Sequence, residues 1–407
     1  MRWLASPEGW ALLRSLPAYD EDDAIALVQR LRADGHPPER AAAVATQVRL
    51  RDRARAKFGE LADGMLFTAD GLEQATRHDV GAWHARRFAH ASLATVHDLG
   101  CGIGADAMAL ATLGVTVNAV DADPATAAIA DANLRPWPDS RARAGRVEDF
   151  RPPPEPARDR VGAWLDPARR ITGVASTHGR ARRVFRLDDL SPPWPVVLDV
   201  TRRVPATGVK LSPSFPHDHI PRGAEAQWVS RAGELLECCV WFGPLVRTSG
   251  RTALVLRPGS SAAEVTEDQG PAEIPALRAL AELGPWLYES DRAVIQAGLV
   301  GAVAAPTNGR ELEPGLGFVS AAVGFDLGFA RRYAVREAMP FQVKTLRAWL
   351  RTHGVAGVTI KKRGIRLDED ALRRQLKIGR GAGSGAQATI LLTRLAGQQV
   401  VLVLEPA

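Results

Sequence analysis

Three glycines between two apolar segments restrict the fold of this chain more than any other feature. They are Gly100, Gly102 and Gly104. Residues 95–99 before them are typical of a buried strand, residues 105–113 after them of a helix, and residues 115–120 of a second strand. The pattern predicts a βαβ unit with a glycine turn at the carboxyl end of its first strand, which is where open α/β sheets bind ligands.

Two acidic residues beside this turn indicate which ligand it binds. The glycine spacing satisfies the loose fingerprint of a dinucleotide site, but Asp98, just before the first glycine, would repel the pyrophosphate of NAD. S-adenosylmethionine carries an ammonium and a sulfonium instead, and a carboxylate attracts both. Asp121, at the end of the second strand, can accept hydrogen bonds from both ribose hydroxyls. We therefore predict that Asp98, Asp121 and the three glycines bind S-adenosylmethionine.

The composition limits the class of protein. The chain has 407 residues, 46% of them hydrophobic, which is enough for two or three domains with their own cores. A formal net charge of +6 is compatible with an anionic partner without identifying one. The three cysteines lack the spacing of a metal site. His217-Asp-His219 resembles a metal-binding tripeptide, but histidines without further ligands are usually part of a loop, so no metal is predicted. No signal peptide or membrane span is evident, and we expect a cytoplasmic protein with no membrane partner.

Helical patterns precede the glycine turn. Residues 1–64 form a predicted N-terminal helical module, and the alternate arginines from Arg49 to Arg55 are expected on its solvated surface. Residues 72–88 are predicted as one helix that leads into the first strand. Gln74 and Thr76 on this helix either contact the cofactor or serve packing and capping, and the sequence leaves both alternatives open.

A candidate contact to the adenine ring follows the third predicted strand. This strand is expected over residues 143–147, and Asp149 comes shortly after it. An acidic side chain at this position can accept a hydrogen bond from the adenine amino group. The alternative is a surface loop.

The next apolar segment ends in an acid that is a candidate catalytic residue. Residues 163–165 lead into Asp166-Pro167, at the edge of the sheet where a methyl acceptor must approach. Asp166 is suited to accept or steer a proton there, and Pro167 makes the turn rigid. The arginines that follow are candidates for holding the phosphates of a nucleic acid, namely Arg169, Arg170 and Arg180.

The C-terminal part has a different pattern. After a catalytic domain over residues 65–260, residues 261–283 are predicted as a linker because proline and glycine bound an acidic segment. Residues 284–407 are typical of a small α+β domain with an antiparallel sheet, and residues 288–303 within it are helix-like. Its basic edge consists of Lys361, Lys362 and Arg363. This edge either binds an RNA backbone or is the solvated end of a strand.

Four stretches together resemble a known family. They are Asp98-Leu-Gly-Cys-Gly-Ile-Gly104, Asp166-Pro-Ala-Arg-Arg170, Lys210-Leu-Ser-Pro213 and Ile360-Lys-Lys-Arg-Gly364. Over about residues 65–407 the chain is similar to the bacterial class I S-adenosylmethionine-dependent methyltransferases that end in a THUMP-like domain. The resemblance implies an α/β, Rossmann-like catalytic sheet and a C-terminal ferredoxin-like α+β domain that contacts RNA. It does not supply the target base.

A cysteine nucleophile is not part of the predicted chemistry. Asp166-Pro-Ala-Arg169 is similar to a stretch of the RNA 5-methyluridine methyltransferases, which need a cysteine at the end of the following strand to activate a pyrimidine carbon. Here that position is occupied by Lys210-Leu-Ser-Pro-Ser214, and the hydroxyl of Ser212 would need a strong base. We therefore expect methyl transfer without a covalent bond between enzyme and base.

These observations favour an S-adenosylmethionine-dependent methyltransferase that acts on RNA, either tRNA or rRNA. Three alternatives remain: a small-molecule methyltransferase whose C-terminal domain serves dimerisation, a catalytically inactive RNA-binding protein, and an NAD oxidoreductase. The sequence does not determine the target nucleotide, the methylated atom or the oligomeric state.

Overall fold

The computed structural model describes residues 3–17, 19–154, 160–169, 187–377 and 386–407. The chain divides into two compact units. The first comprises Met1–Leu211 and Cys239–Arg247, and the second comprises Ser212–Cys238 and Thr248–Ala407. Within the described residues, no helix combines the length and the apolar character needed to cross a membrane.

Helices and strands occur throughout the described residues. The helices are α1 (Pro7–Ser15), α2 (Ala24–Ala33), α3 (Pro38–Phe58), α4 (Ala69–Gln74), α5 (His78–His90), α6 (Ala105–Thr112), α7 (Pro124–Asn133), α8 (Trp194–Arg203), α9 (Arg292–Gln296), α10 (Gly301–Thr307), α11 (Val343–Thr352) and α12 (Glu369–Leu376). The strands are β1 (Thr95–Leu99), β2 (Thr116–Asp121), β3 (Arg141–Ala144), β4 (Val161–Leu165), β5 (Ala168–Arg169), β6 (Leu190–Ser191), β7 (Ala206–Leu211), β8 (Glu225–Arg231), β9 (Glu234–Trp241), β10 (Gly250–Leu256), β11 (Ala263–Thr266), β12 (Trp286–Ser290), β13 (Arg310–Glu311), β14 (Phe318–Ala321), β15 (Ala330–Pro340), β16 (Val355–Lys362), β17 (Ala386–Leu395) and β18 (Gln398–Pro406).

Helices α1 to α3 confirm the predicted helical module. The Ser6 hydroxyl caps α1 by accepting a hydrogen bond from the Gly9 N–H at 3.2 Å. One arginine of α3 differs from the prediction. Arg51 is buried, and its Nε donates to the main-chain oxygen of Met65 at 2.9 Å. The expectation of a solvated side chain is wrong for Arg51, because acceptors from a loop distant in the sequence replace water.

A parallel sheet lies at the centre of the first unit. Its strands follow the order β3-β2-β1-β4-β7, and each neighbouring pair is parallel. Helices α6 and α7 connect β1, β2 and β3, which confirms the predicted βαβ unit. Every residue of β4 is buried, as expected for a strand covered on both faces. The carboxyl ends of β1, β4 and β7 therefore lie side by side at one edge of the sheet.

Two elements around β1 differ from the prediction. The helix expected over residues 72–88 is two helices, because Ala75 and Arg77 have the ψ angles of extended backbone, 137° and 145°. The third strand is shorter and earlier than expected and ends at Ala144. Val147–Asp149 forms a 3₁₀ turn instead.

A smaller set of strands belongs to the second unit. Strands β8 and β10 are parallel, and β11 pairs with β10 in antiparallel register, with Thr266 opposite Thr252. Strand β11 falls within residues 261–283, so the segment expected to be a linker contributes a strand. The domain boundaries at residues 64, 260 and 283 stay predictions.

The C-terminal sheet of the second unit has seven strands in the order β13-β14-β12-β15-β18-β17-β16. Most pairs are antiparallel, as predicted, but β16 and β17 are parallel. Parallel neighbours need a crossover connection, and α12 lies between these two strands in the sequence. Tyr288 lies in strand β12, so only the later part of residues 288–303 is helical.

Alternate residues of this sheet belong to two different cores. Leu391 packs in one buried cluster, whereas Ile390 and Leu392 pack in the other. The second cluster also contains Leu346 and Leu350 of α11 and two leucines of α12. Helices α11 and α12 therefore cover one face of the sheet with their apolar sides and carry their polar sides outward.

Candidate active site

The glycine turn follows β1 with the predicted backbone. Gly100, Gly102 and Gly104 have φ angles of 98°, 54° and 85°. A Cβ on Gly100 would lie 3.3 Å from the main-chain oxygen of Asp166, and one on Gly104 would lie 3.3 Å from the Cβ of Ala130. Glycine is therefore favoured both by the left-handed conformation and by the close approach of neighbouring backbone.

Asp121 braces this turn from the end of β2. Its Oδ2 accepts a hydrogen bond from the Gly102 N–H at 3.0 Å, and its Oδ1 accepts one from the Asp123 N–H at 2.9 Å. Burial raises the pKa of Asp121, although these backbone hydrogen bonds act in the opposite direction. The residue lies at the edge of the sheet where the sequence placed it, and its role toward a ribose stays a prediction.

Asp98 is a buried acid whose charge the protein compensates only weakly, through Lys210. It is 1% exposed, and neither carboxylate oxygen has a hydrogen-bond partner among the described residues. Burial, with the nearby charges of Asp106 and Asp166, raises the pKa of Asp98 well above its usual range. A buried carboxylate is costly unless a cation or donor meets it. The site therefore fits the ammonium group of S-adenosylmethionine and disfavours a diphosphate.

Asp166 lies beside the same turn at the end of β4. Its side chain is 36% exposed, and its Oδ2 lies 2.6 Å from the Nζ of Lys210 on β7. Pro167 after it is buried. The structure thus brings Asp98, the glycine turn and Asp166 together, as predicted from the strand ends.

Sequence reasoning missed the polar side chains behind Lys210. Its Nζ also donates to the Thr76 hydroxyl at 3.0 Å, and that hydroxyl donates to Oδ2 of Asp106 at 2.7 Å. The other oxygen of Asp106 lies 2.8 Å from Nδ1 of His84. Only Thr76 was singled out from the sequence, because no local pattern connects residues on α5, α6 and β7.

The remaining predicted cofactor residues lie on the surface. Gln74 is exposed at the last position of α4, and Asp149 is exposed in the 3₁₀ turn after β3. Thr76, the other polar residue of that region, is buried. The cofactor contacts of Gln74 and Asp149 stay predictions.

The predicted RNA contacts near Asp166 are described only in part. The backbone of Arg169 belongs to the short strand β5, which pairs with β6. Arg170 and Arg180 lie outside the described residues. Their predicted role toward phosphate is unchanged.

The basic edge at residues 361–363 has acidic partners that the sequence did not reveal. Glu289 of β12 accepts from Lys361 at 2.7 Å and from Arg363 at 3.2 Å. Lys362 lies 3.3 Å from Glu369 on α12. These three cations therefore hold elements of the second unit together, and their role toward RNA stays a prediction.

Comparisons with known proteins agree with this architecture. Residues 330–406 match the family model of a THUMP-like domain, and residues 1–54 match a domain of unknown function. Two curated relatives from Mycobacterium tuberculosis, strains CDC 1551 and H37Rv, are 32% identical over 81% of this chain and 87% of their own length. Both are named as uncharacterized S-adenosylmethionine-dependent methyltransferases. The fold is similar to a crystal structure of a provisionally assigned methyltransferase from Porphyromonas gingivalis W83, with a TM-score of 0.72, 21% identity and coverage of 96% of this chain and 100% of that one.

The fold and the site define a Rossmann-like class I methyltransferase. The first strand of a parallel sheet carries an acid near its end and leads into a glycine turn, and the next strand along the chain ends in a second acid. The chain belongs to the family of S-adenosylmethionine-dependent methyltransferases, and it carries a THUMP-like domain at residues 330–406. It is an enzyme, and its cofactor is S-adenosyl-L-methionine.

Proposed function

We propose that this methyltransferase acts on RNA, either tRNA or rRNA, and that its second unit contacts the RNA backbone. The observation that carries this proposal is an exposed cationic surface on α11 and α12, which lies within the THUMP-like match. We call it the helical cation surface. Its members are Lys344, Arg347, Arg351, Arg374 and Lys377.

The helical cation surface is available to an external anion. Lys344, Arg347 and Arg351 are spaced by three and four residues and therefore share one side of α11, a helix with no acidic residue. Among the described residues, none of the five side chains has an ion pair or a hydrogen bond. Exposed cations that are not held in ion pairs within the protein are the electrostatic footprint expected for a phosphate backbone.

The catalytic site supports methyl transfer by alignment. Asp98, the glycine turn and Asp121 would hold S-adenosylmethionine, which supplies an electrophilic methyl group whose departure leaves the bonding electron pair on sulfur. Asp166 lies at the open edge of the sheet, where its carboxylate can accept a hydrogen bond from the acceptor atom. An acceptor that gains a methyl group loses a proton, and Asp166 is placed to receive it.

The environments of the cysteines support a route without a thiolate nucleophile. Cys238 and Cys239 are buried. Burial, with the charges of Asp98 and Asp121, raises the pKa of Cys101 well above its usual range, so this residue of the glycine turn is a thiol at neutral pH. A covalent adduct to a pyrimidine carbon needs a thiolate that can reach the base.

Methyl transfer to RNA tests the proposal directly. We expect label from methyl-tritiated S-adenosylmethionine to enter tRNA or rRNA purified from a strain that lacks the gene, and we expect Asp98→Ala to abolish the transfer. RNA binding without transfer would indicate an inactive binding protein. Transfer to small molecules alone would indicate the other alternative.

A charge-matched pair of triple variants tests the helical cation surface. Lys344→Glu, Arg347→Glu and Arg351→Glu together should weaken RNA binding about tenfold or more at about 0.1 M salt and reduce the salt dependence of binding. The control reverses three exposed arginines elsewhere, namely Arg30, Arg32 and Arg49. Both triple variants change the net charge equally, so equal losses of affinity would show that the contact is not at α11.

A further inference from the structure

We propose that Lys210 is the positioning residue for Asp166, and that the buried group of Thr76, Asp106 and His84 holds Lys210 in place. The inference rests on the proposed function only in assigning Asp166 to the acceptor side of the site. Its structural part concerns Lys210 itself, which lies outside the glycine turn.

Lys210 is a constrained side chain rather than a surface lysine. It is 12% exposed, and the contacts of its ammonium include the Asp166 carboxylate at 2.6 Å and the Thr76 hydroxyl at 3.0 Å. A lysine has four rotatable bonds and loses much conformational freedom when its head is held. Two contacts on different elements restrict the ammonium far more than one exposed ion pair does.

Asp106 fixes the Thr76 hydroxyl. Because this hydroxyl gives its proton to Asp106, its oxygen lone pairs face Lys210. Burial by itself would raise the pKa of Asp106, but the hydrogen bond and charge of His84, the charge of Lys210 and the hydrogen bond of Thr76 together lower it to about 2. Asp106 is therefore an ionised anchor near neutral pH.

Close packing holds the anchor itself in position. A Cβ on Gly81 of α5 would lie 3.3 Å from Ala109 and 3.5 Å from Asp106 Oδ1, so α5 and α6 approach closely there. The His84 ring packs on Trp164 of β4, with ring centroids 4.7 Å apart. Trp164 is two residues before Asp166. Strand β4 thus carries the aromatic support of the anchor and leads directly into the acid that the anchor positions.

The arrangement also separates two acids that compete for one cation. Asp98 and Asp166 both lie at the carboxyl ends of the strands, and the charge of Lys210 acts on Asp98 as well. Yet the ammonium of Lys210 contacts Asp166 and Thr76 directly, whereas Asp98 has no hydrogen-bond partner among the described residues. Thr76 thus commits the ammonium to the acceptor side and leaves Asp98 for a cationic ligand.

Substitutions at Thr76 test this series of contacts with little change in side-chain volume. Thr76→Val removes the hydroxyl, and Thr76→Ser keeps it as the matched control. We expect Thr76→Val to lower kcat for RNA about tenfold and Lys210→Met about 10²-fold, since small displacements of a catalytic group have effects of this size. The dissociation constant for S-adenosylmethionine, measured by calorimetry, should change less than about threefold in Thr76→Ser, and KM for RNA should stay near wild type in all variants.

Crystal structures of the same variants give a readout that needs no acceptor. We expect the Asp166 carboxylate to leave its position in Thr76→Val and Lys210→Met and to keep it in Thr76→Ser. Unmoved Asp166 in Thr76→Val, or equal kinetic losses in the valine and serine variants, would overturn the proposal. If wild-type enzyme methylates no RNA, the proposed function fails, and the displacement of Asp166 still decides the role of Lys210. If Lys210→Met does not fold, the Thr76 pair decides it.

Discussion

Two buried aspartates flank the glycine turn, and their surroundings are opposite. Asp98, at the end of β1, is 1% exposed, and Asp106, in the first turn of α6, is 8% exposed. Asp98 has no hydrogen-bond partner among the described residues, whereas Asp106 is bound by Thr76 at 2.7 Å and His84 at 2.8 Å. The pKa of Asp98 is raised well above its usual range, and that of Asp106 is lowered to about 2.

The difference separates a ligand site from a structural anchor. Burial acts on both carboxylates in the same direction, so the opposite outcomes come from the partners. Partners within the protein make the charge of Asp106 part of the folded state. The charge of Asp98 is offset only in part, by the charge of Lys210, and a cation that binds from outside would complete the compensation. The fold therefore keeps one acid at a cost in stability, and we expect cofactor binding to offset that cost.

The largest effect that this comparison predicts is on cofactor affinity. Asp98→Ala should weaken binding of S-adenosylmethionine by about 10² or more, because it removes one partner of a buried charge pair. The unfolding free energy of the cofactor-free protein should stay the same or rise. Calorimetry and denaturant unfolding measure the two quantities. Undiminished affinity in Asp98→Ala would refute the assignment of this acid to the cofactor.

Asp106→Asn should have the opposite effect, on stability rather than on cofactor affinity. We expect the unfolding free energy to fall by about 3 kcal/mol, because the change removes the buried negative charge with which its partners interact. Asp123→Asn is a suitable control, since this exposed acid caps α7 and asparagine caps equally well. If Asp98 and Asp106 variants lose equal stability in denaturant, the distinction between site and anchor is wrong.

The next effect in size is the contribution of Asp106 to stability, which should appear when the free energy of unfolding is measured at acidic pH. The pKa of Asp106 is depressed in the folded protein, from 3.8 to about 2. A depressed pKa stabilises the folded state above the unfolded value and loses this effect as the pH falls through the folded value. The contribution is about 2 kcal/mol, present above about pH 4 and lost toward about pH 2. Subtracting the pH profile of Asp106→Asn from that of the wild type isolates it.

Proton release on cofactor binding should reveal the ligand site. The raised pKa of Asp98 means that the folded, cofactor-free protein retains a proton that the unfolded chain has lost. Binding of a cation should expel this proton, so affinity should rise with pH by up to about tenfold per unit until the folded pKa is passed. Calorimetry in buffers of different ionisation enthalpy counts the proton. Asp98→Asn should release none, and release from that variant would assign the proton to another group.

Much of the first unit could be predicted from the sequence. The strands and helices around the glycine turn follow local periodicity, and the positions of Asp98 and Asp166 follow from where strands end. The break between α4 and α5 and the early end of β3 were missed, because apolar spacing alone does not locate a turn at Ala75–Arg77. The strand β11 was missed because its four residues pair with a neighbour that the local sequence does not identify.

The partners of charged side chains could not be predicted from the local sequence. Arg51 has the sequence context of a surface residue but is buried against main-chain oxygens. Lys361 and Arg363 belong to the most basic local stretch of the C-terminal part, yet Glu289, more than 70 residues earlier, forms ion pairs with both of them. The sequence did not predict a cationic surface on α11. The spacing of these cations defines an exposed surface only once the opposite side of the helix is known to be buried.

The sequence by itself determined the βαβ unit, the glycine turn and the acids at the strand ends. Each of these depends on residues close together in the chain, where backbone preferences and hydrophobic periodicity act. Only the tertiary structure decided which charges are compensated. Asp106 meets His84, Lys210 meets Asp166 and Glu289 meets Lys361 through packing of elements far apart in the sequence. The energy of a buried charge depends on those distant neighbours, and so does the difference between an anchor and a binding site.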